Sequence, residues 1–201
     1  HENGAAQLEI NFNHGDPLDM ADQVFVFKRT VRETAQKHGM YATFMAKPMQ
    51  KEPGSALHIH QSILSVQSGQ NIFNDPDQQP TPELMHYIAG LQRYTPDLIS
   101  FYAPNVNSYR RLAPDIAAPI NLSWGYDNRT TAFRVPDSTP INRRVENRFP
   151  GADANPYLAI AASLASGLLG LEQKLQPTEP HQGTANDDNV EVARSLEEAV
   201  R

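Results

Sequence analysis

The chain has 201 residues, a formal net charge of −6 and 39% hydrophobic residues, which suffices for one domain with a sizeable core. A pI of about 5.6 argues against nucleic acid as the main partner. With no cysteine, the chain has no disulfide framework, thiolate metal site or cysteine nucleophile, and its composition is compatible with the cytoplasmic location that we expect. The longest uncharged apolar run, Tyr157 to Leu171, is shorter than the roughly 20 residues of a membrane helix, so no membrane partner is expected.

Two glutamates flank a small-residue turn at the start of the chain. Glu9 follows Glu2 and begins an alternating run that predicts a strand with Glu9, Asn11 and Asn13 on one face. The two carboxylates could converge on a hard divalent cation, which takes oxygen ligands. Two glutamates of this kind are more often solvated surface residues, so that alternative stays open at this point.

Apolar spacing at the helical period and capping residues predict four helices that form the framework of the domain. They run from Asp19 to His38, from Thr81 to about Tyr94, from Thr95-Pro96-Asp97 onward, and from the N-cap Asn155 through the apolar run, which is expected to be buried. Between the first two, Tyr41 to Met45 predicts a short strand.

A strand predicted from Ser55 to Ile63 places His58, His60 and Ser62 on one face. Imidazole is a common metal ligand and a good neighbour for phosphate, although single histidines are usually ordinary core or surface residues. The chain has no H-E-x-x-H motif and no cysteine, which disfavours a zinc protease or a structural zinc site.

Arginines recur in the segments that follow. Arg110 and Arg111 lie in a proline-rich irregular stretch, where they could capture an anion or form a surface ion pair. Two strands predicted over 120–126 and 130–135 then carry Arg129 at their connection and Arg134 in the second strand.

The stretch from Asn142 to Tyr157 is the one around which the other polar clusters are arranged. Its alternation predicts a strand with Arg144, Glu146 and Arg148 on one face, and Val145, Asn147 and Phe149 on the other. A carboxylate between two guanidinium groups suits a metal ligand flanked by groups that bind phosphate or carboxylate. The alternative is a salt-bridged strand edge without chemistry.

These clusters together combine three glutamates, two histidines and five arginines. Such a set suits phosphoryl transfer, in which divalent cations and guanidinium groups hold a polyphosphate and an acidic substrate. The chain has no glycine-rich phosphate loop of the Walker or dinucleotide type, so a nucleotide would be bound by other means.

Ordered motifs span the chain: E-x-x-x-x-Q-x-E at 2–9, TFMAKP at 43–48, PGSALHIHQS at 53–62, NSYRRL at 107–112, NR-x-x-x-x-R at 128–134 and RRVENRFPGADANPYL at 143–158. This combination resembles the catalytic domain of the glutamine synthetase family. Within the family, GDPLD, APNVNSYRRL and WGYDNRT are most similar to the γ-glutamylpolyamine synthetases. The resemblance implies an α+β fold in which an antiparallel sheet forms the active-site wall and helices pack outside.

The resemblance also implies a role for each candidate residue. Glu2 and Glu9 would bind one magnesium or manganese ion, and His58 and Glu146 a second. Arg111, Arg129 and Arg148 would act in catalysis and bind glutamate and the transferred phosphate, with Gly54 on the glutamate-binding loop. His60, Ser62, Arg134 and Arg144 would contact ATP.

The implied reaction has two steps, in which ATP phosphorylates the γ-carboxylate of glutamate and an amine then attacks the acyl phosphate. We expect putrescine or a related polyamine as the amine. A glutamine synthetase that uses ammonium is the alternative, and a non-catalytic binding or scaffold protein is a third possibility. A homo-oligomer, a ring of twelve subunits, is implied for the full-length enzyme.

Three departures from the family pattern affect these expectations. Ala117 stands where ammonia-using members carry a flap glutamate, which weakens the case for ammonium, and Pro53 stands where asparagine usually precedes the glycine of the glutamate loop. The amino-terminal β-grasp domain and the E-x-E strand of the family are not in residues 1–201, and the chain stops at Arg201 inside a helix-like segment. We therefore expect a partial catalytic domain from a longer protein, inactive alone because each metal site lacks a ligand.

Overall fold

The computed structural model describes residues 2–77, 79–113, 118–185 and 191–201. Its helices and strands follow in the order α1 (Pro17–Lys37), β1 (Ile59–Gln61), α2 (Pro82–Tyr102), β2 (Trp124–Tyr126), β3 (Phe133–Val135), β4 (Val145–Asn147), α3 (Pro156–Gln173) and α4 (Leu196–Ala199). Short 3-10 turns lie at Ser108–Arg110 and Pro140–Asn142. None of the helices within these ranges is both long and apolar enough to cross a membrane.

The four strands form one small sheet in the order β1-β4-β3-β2. β4 is a central strand and pairs antiparallel with β1 and with β3. His60 lies opposite Glu146, and Glu146 lies opposite Arg134, so these three residues form a row across one face. The candidate site lies around this row, on the face of the sheet that points away from the helices.

The pairing of β2 with β3 differs from the predicted antiparallel sheet, because these two strands are parallel. The six residues between them reverse the chain twice. Asp127 adopts a left-handed backbone conformation with φ of 44°, and the Asn128 side-chain oxygen accepts hydrogen bonds from the amide and hydroxyl of Thr130. Local turn chemistry therefore returns the chain in the same direction, and the sheet is mixed.

The helices cover the inner face of the sheet and form the core. α2 packs along α3, α1 lies against α3, and α4 contacts α2. The two long helices approach closely at glycines: a Cβ added to Gly90 would lie 2.1 Å from the Ser166 carbonyl oxygen, and one added to Gly170 would lie 2.2 Å from the His86 carbonyl oxygen. Fully buried aromatic residues fill the space between the helices and the sheet, including Tyr87, Tyr102, Phe73, Phe133 and Phe149.

The N-caps predicted at Thr81 and Asn155 are confirmed, whereas the predicted break at Thr95 is wrong. Thr81 and Asn155 each accept a hydrogen bond from a first-turn amide of the helix that they cap. α1 begins at Pro17, two residues before its predicted start, with Asp16 as its N-cap. α2 continues through Pro96 as one helix. Proline removes one helical hydrogen bond, but α2 makes extensive contacts with α3, and tertiary packing of this kind supports a helix against such a local loss.

Two predicted strands and one predicted burial differ from the structure. The runs 9–13 and 41–45 form no strand, because no other segment of the described chain pairs with them. α3 is buried only along its small-residue side, and Leu158, Leu168 and Leu169 are exposed on the other. An alternating or apolar pattern alone therefore does not show whether a segment pairs with a strand, or which side of a helix packs against the core.

Candidate active site

Glu146 lies at the centre of a charged cluster on the outward face of the sheet, and the residue is only 2% exposed. Its Oε1 atom accepts hydrogen bonds from Arg148 Nη1 at 2.7 Å and from His58 Nδ1 at 3.1 Å. Its Oε2 atom accepts one from Arg134 Nη1 at 2.9 Å, and Arg134 also pairs with Asp127. Because β4 is a central strand and the carboxylate is buried, this ion-pair network does not lie at an edge of the sheet.

The surrounding charges determine the protonation of the cluster. Burial alone would raise the pKa of Glu146, but the hydrogen bond from His58 and the charges of Arg148 and Arg134 outweigh it and hold that pKa well below its usual range. Burial, together with the charge of Arg148, lowers the pKa of His58. The carboxylate is thus ionised and the imidazole neutral at pH 7, with Nδ1–H donated to Glu146, which leaves the lone pair of the imidazole on Nε2.

His60 and Arg144 form a second contact on the same face. Arg144 Nε donates to His60 Nδ1 at 3.2 Å, and its Nη1 donates to the Asn142 carbonyl oxygen at 3.1 Å. Although His60 is exposed, desolvation lowers the pKa of its imidazole; the charge of Glu146 opposes this shift, and the nearby arginine charges reinforce it. Two of the four residues predicted to contact ATP are therefore adjacent, with a neutral imidazole beside a guanidinium group.

The amino-terminal turn brings the two predicted glutamate ligands together. The Glu2 and Glu9 carboxyl groups share a hydrogen bond, which lowers the pKa of Glu2 and raises the pKa of Glu9. The charge of the exposed Arg129 opposes the rise in the pKa of Glu9. Two carboxyl groups this close repel each other unless a proton or a cation lies between them, so the pair fits a divalent cation.

Arg111 is buried and braces the chain that follows β4. Its Nη1 donates to the Phe149 carbonyl oxygen at 2.8 Å, and its Nη2 donates to the Arg148 carbonyl oxygen at 2.9 Å. Burial and the charge of Arg148 lower its pKa to about 10, so the guanidinium remains charged at pH 7. Substrate binding by Arg111 stays a prediction, because both terminal nitrogens donate to the main chain in this structure.

Gly54 makes room for the Arg111 side chain. A Cβ at this position would lie 2.8 Å from the Ala46 carbonyl oxygen and 2.8 Å from Arg111 Cγ. We expect Gly54→Ala to displace Arg111 and to lower the free energy of unfolding by about 1–3 kcal/mol, measured by urea denaturation. Gly15→Ala is the matched control, since its Cβ would meet only the flexible Met20 sulfur at 3.3 Å. Equal stability of the two variants would contradict the close approach.

Sequence reasoning missed the residues that hold these segments in place. Gln7 donates through Nε2 to the Gly54 carbonyl oxygen at 2.9 Å, which docks the turn carrying Glu2 onto the glycine loop. Asn107 accepts from the Lys47 amide at 2.9 Å and donates to the Lys47 carbonyl oxygen at 3.0 Å. Both residues lie within the quoted family motifs, but their partners are distant in sequence, so no local pattern identifies their role.

Several predictions concern residues that the cluster does not include. Ser62 is exposed just beyond β1, and no hydrogen bond links it to the cluster in the described structure. Ala117 lies outside the described residues. Within the described ranges, no group of three or more histidine, aspartate or glutamate side chains could hold a metal ion. The predicted metal ligands therefore form two separate pairs, Glu2 with Glu9 and His58 with Glu146, each with fewer than three ligands.

Two clefts of the described structure lie away from the Glu146 cluster. One of about 400 Å³ lies between α2 and the segment 178–181, and one of about 700 Å³ lies between α1 and the start of α3. None of the predicted site residues lines either cleft. The cluster instead lies on the open face of the sheet.

The match to a known family agrees with this fold and cluster. The family model described as "Glutamine synthetase, catalytic domain" matches residues 1–201. The chain belongs to the glutamine synthetase family, and the resemblance of its motifs is confirmed, as is the α+β fold class.

Curated relatives show which members of the family the chain is similar to. It is 46% identical over 99% of its length to glutamate–isopropylamine ligase from Pseudomonas sp and 44% identical over 90% to γ-glutamylputrescine synthetase PuuA from Escherichia coli K12. It is also 42% identical over 88% of its length to glutamine synthetase from Pyrococcus abyssi. The matches cover 44%, 39% and 40% of these relatives, respectively, so the chain spans less than half of their length.

Proposed function

We propose that this chain is the catalytic portion of an enzyme that uses ATP to join the γ-carboxylate of glutamate to an amine. The observation that carries this proposal is the row His60, Glu146 and Arg134 on the open face of the sheet, with Arg144 and Arg148 beside it. Guanidinium groups held by a buried carboxylate are preorganised for a polyphosphate and a carboxylate substrate. Membership of the glutamine synthetase family supports the same chemistry.

The donor atoms present fit the divalent cations that the family implies. The paired carboxyl groups of Glu2 and Glu9 supply hard oxygen ligands, and His58 presents Nε2 while Glu146 orients its ring. Direct ligation by Glu146 stays a prediction, since its oxygens already accept from three side chains. A bound magnesium or manganese ion would supply charge neutralisation for the phosphates. Residues beyond this chain would complete each ligand set.

The family resemblance assigns different roles to the arginines around this cluster, and we propose the same division here. Arg134, opposite Glu146 in the sheet, and Arg144, beside His60, are assigned to the nucleotide phosphates. Arg148, which also donates to Glu146, and Arg129, whose charge acts on Glu9, are assigned to glutamate and the transferred phosphoryl group. Arg148 also retains a buried Nε–H that has no hydrogen-bond partner among the described residues. The acyl phosphate formed in the first step is then attacked by the amine, which releases phosphate.

We assign a larger amine than ammonium as the acceptor, with putrescine or a related polyamine as the first choice. The names of two relatives, glutamate–isopropylamine ligase and γ-glutamylputrescine synthetase, support an alkyl amine. Ala117 removes the carboxylate that ammonia-using members place in the flap, which supports the same choice. The similarity to glutamine synthetase of Pyrococcus abyssi keeps ammonium as the second candidate.

The test is ADP release by the full-length protein with magnesium, ATP and glutamate. The acceptors to compare are putrescine, longer polyamines, isopropylamine and ammonium. We expect the kcat/KM for putrescine or another polyamine to exceed that for ammonium by at least about 100-fold, which corresponds to about 2.7 kcal/mol. A preference for ammonium would identify a glutamine synthetase, and no turnover with any acceptor would favour a non-catalytic binding protein.

The isolated 201 residues provide the negative control for this assay. We expect them to show no ADP release, since neither pair of metal-binding residues has a third ligand in the described structure. Turnover by these residues alone would contradict the proposal that residues outside the chain complete the site. The ring of twelve subunits also stays a prediction for the full-length protein, to be checked by light scattering.

A further inference from the structure

Asn147 lies in β4 directly after Glu146, with its side chain on the opposite face of the sheet. It is fully buried. Its Oδ1 accepts a hydrogen bond from the Phe149 amide at 3.1 Å, and its Nδ2 donates to Ser163 Oγ in α3 at 2.9 Å. The side chain therefore links the end of β4 to the helix behind the sheet.

The hydrogen bond from the Phe149 amide to Asn147 Oδ1 spans Arg148 and forms a local turn at the end of β4. Beyond this turn, the Arg148 and Phe149 carbonyl oxygens accept hydrogen bonds from Arg111 Nη2 and Nη1. Arg148 itself reaches back with Nη1 to Glu146. The position of two predicted substrate-binding arginines thus depends on the backbone that Asn147 holds.

The hydrogen bond from Asn147 to Ser163 fixes the Asn147 side chain against α3, on the helix-covered side of the sheet. Ser163 also accepts from Gln61 Nε2 in β1 at 2.6 Å, and the Tyr87 hydroxyl in α2 donates to Gln61 Oε1. These side chains are all buried. The network joins β1, β4, α2 and α3 at one point, directly behind the His60–Glu146 pair.

We propose that Asn147 is a positioning residue for substrate binding, acting through the backbone of residues 148–149 on Arg111 and Arg148. The inference rests on the proposed function and deepens it, because it assigns the geometry of the glutamate-binding arginines to a residue that touches no substrate. Buried networks of satisfied polar groups hold neighbouring groups in one arrangement. A small displacement of a binding group lowers activity strongly.

The test compares three variants of the full-length protein. Asn147→Leu keeps the size of the side chain and removes both hydrogen bonds. Asn147→Ser is the conservative rescue, because its hydroxyl oxygen can still accept from an amide two residues on. Ser163→Ala is the matched control: it breaks the buried network but leaves the Asn147–Phe149 bond in place.

We expect Asn147→Leu to raise the KM for glutamate roughly 10- to 100-fold at a temperature where every variant is folded, with partial recovery in Asn147→Ser. Ser163→Ala should change that KM less than about threefold while losing as much thermal stability as Asn147→Leu. Equal changes in KM for Asn147→Leu and Ser163→Ala would show a merely structural role and overturn the proposal.

A crystal structure of Asn147→Leu decides the inference independently of turnover. We expect Arg111 to leave the carbonyl oxygens of residues 148 and 149. If Arg111 keeps both contacts, the positioning role is wrong. If the wild-type protein lacks ligase activity, the proposed function fails, and the crystal structure still tests whether Asn147 holds the arginine.

Discussion

Glu146→Ala is expected to lower the free energy of unfolding by about 3–5 kcal/mol, because it leaves the charges of Arg134 and Arg148 without their common buried partner. Arg134 would retain only the exposed Asp127, and Arg148 would retain no carboxylate within the described structure. Urea denaturation of the variant measures the loss, and in the full-length protein we expect ligase activity to disappear with it.

Asp127→Asn is the matched control for this loss, because asparagine tolerates the left-handed backbone at this position and removes only the charge. Asp127 pairs with the same Arg134, but its side chain is 57% exposed, so removing its charge should cost no more than about 1 kcal/mol. If both variants lose the same stability, the burial of Glu146 does not govern its contribution.

The same carboxylate makes stability depend on pH. Its pKa lies below the ordinary value of 4.5, so the unfolded chain takes up this proton before the folded chain does as pH falls. The stabilisation is therefore complete above about pH 4.5 and is lost in more acidic solution. Glu146→Gln should flatten the decline in stability below that pH, and an unchanged slope would contradict the assignment.

Gly90→Ala is expected to lower the free energy of unfolding by about 3 kcal/mol. The change would disturb the contact between α2 and α3, which is separate from the charged cluster around Glu146. A Cβ would lie 2.1 Å from the Ser166 carbonyl oxygen and 2.8 Å from Gly170 Cα, so α2 and α3 would have to separate. The favourable helix propensity of alanine returns only about 1 kcal/mol. Thermal unfolding followed by circular dichroism measures the difference.

Ala165→Leu provides the control on the exposed side of α3, where a larger side chain meets solvent. It should change stability by no more than about 0.5 kcal/mol. A Gly90→Ala protein as stable as Ala165→Leu would show that the two helices do not pack as closely as described.

Features governed by local patterns could be predicted from the sequence. Alternation placed Glu146 and Arg148 on one face and Asn147 on the other, and the structure confirms this division. The helix caps at Thr81 and Asn155 are likewise local, because a side-chain oxygen bonds an amide within three residues. The ordered motifs identified the family, which carries the fold class with it.

Features that depend on distant partners could not be predicted in the same way. The continuity of α2 through Pro96 accompanies its packing against α3, and the β2–β3 connection, which leaves the two strands parallel, contains a positive φ at Asp127. The contacts of Gln7 and Arg111 with main-chain oxygens of other segments leave no periodic signal. For the same reason, the role of Asn147 emerges only when β4 is seen against α3.

The pairing of β1 with β4 also determines when this site can form during synthesis. About two fifths of the chain lies between these strands, so their pairing must wait until that length has left the ribosome and closed a long loop. Before then, the edge of β1 is open to other chains. A nascent chain that ends before Glu146 carries His58 and Arg134 without the carboxylate that pairs with both, so the charged cluster cannot form until β4 has been synthesised.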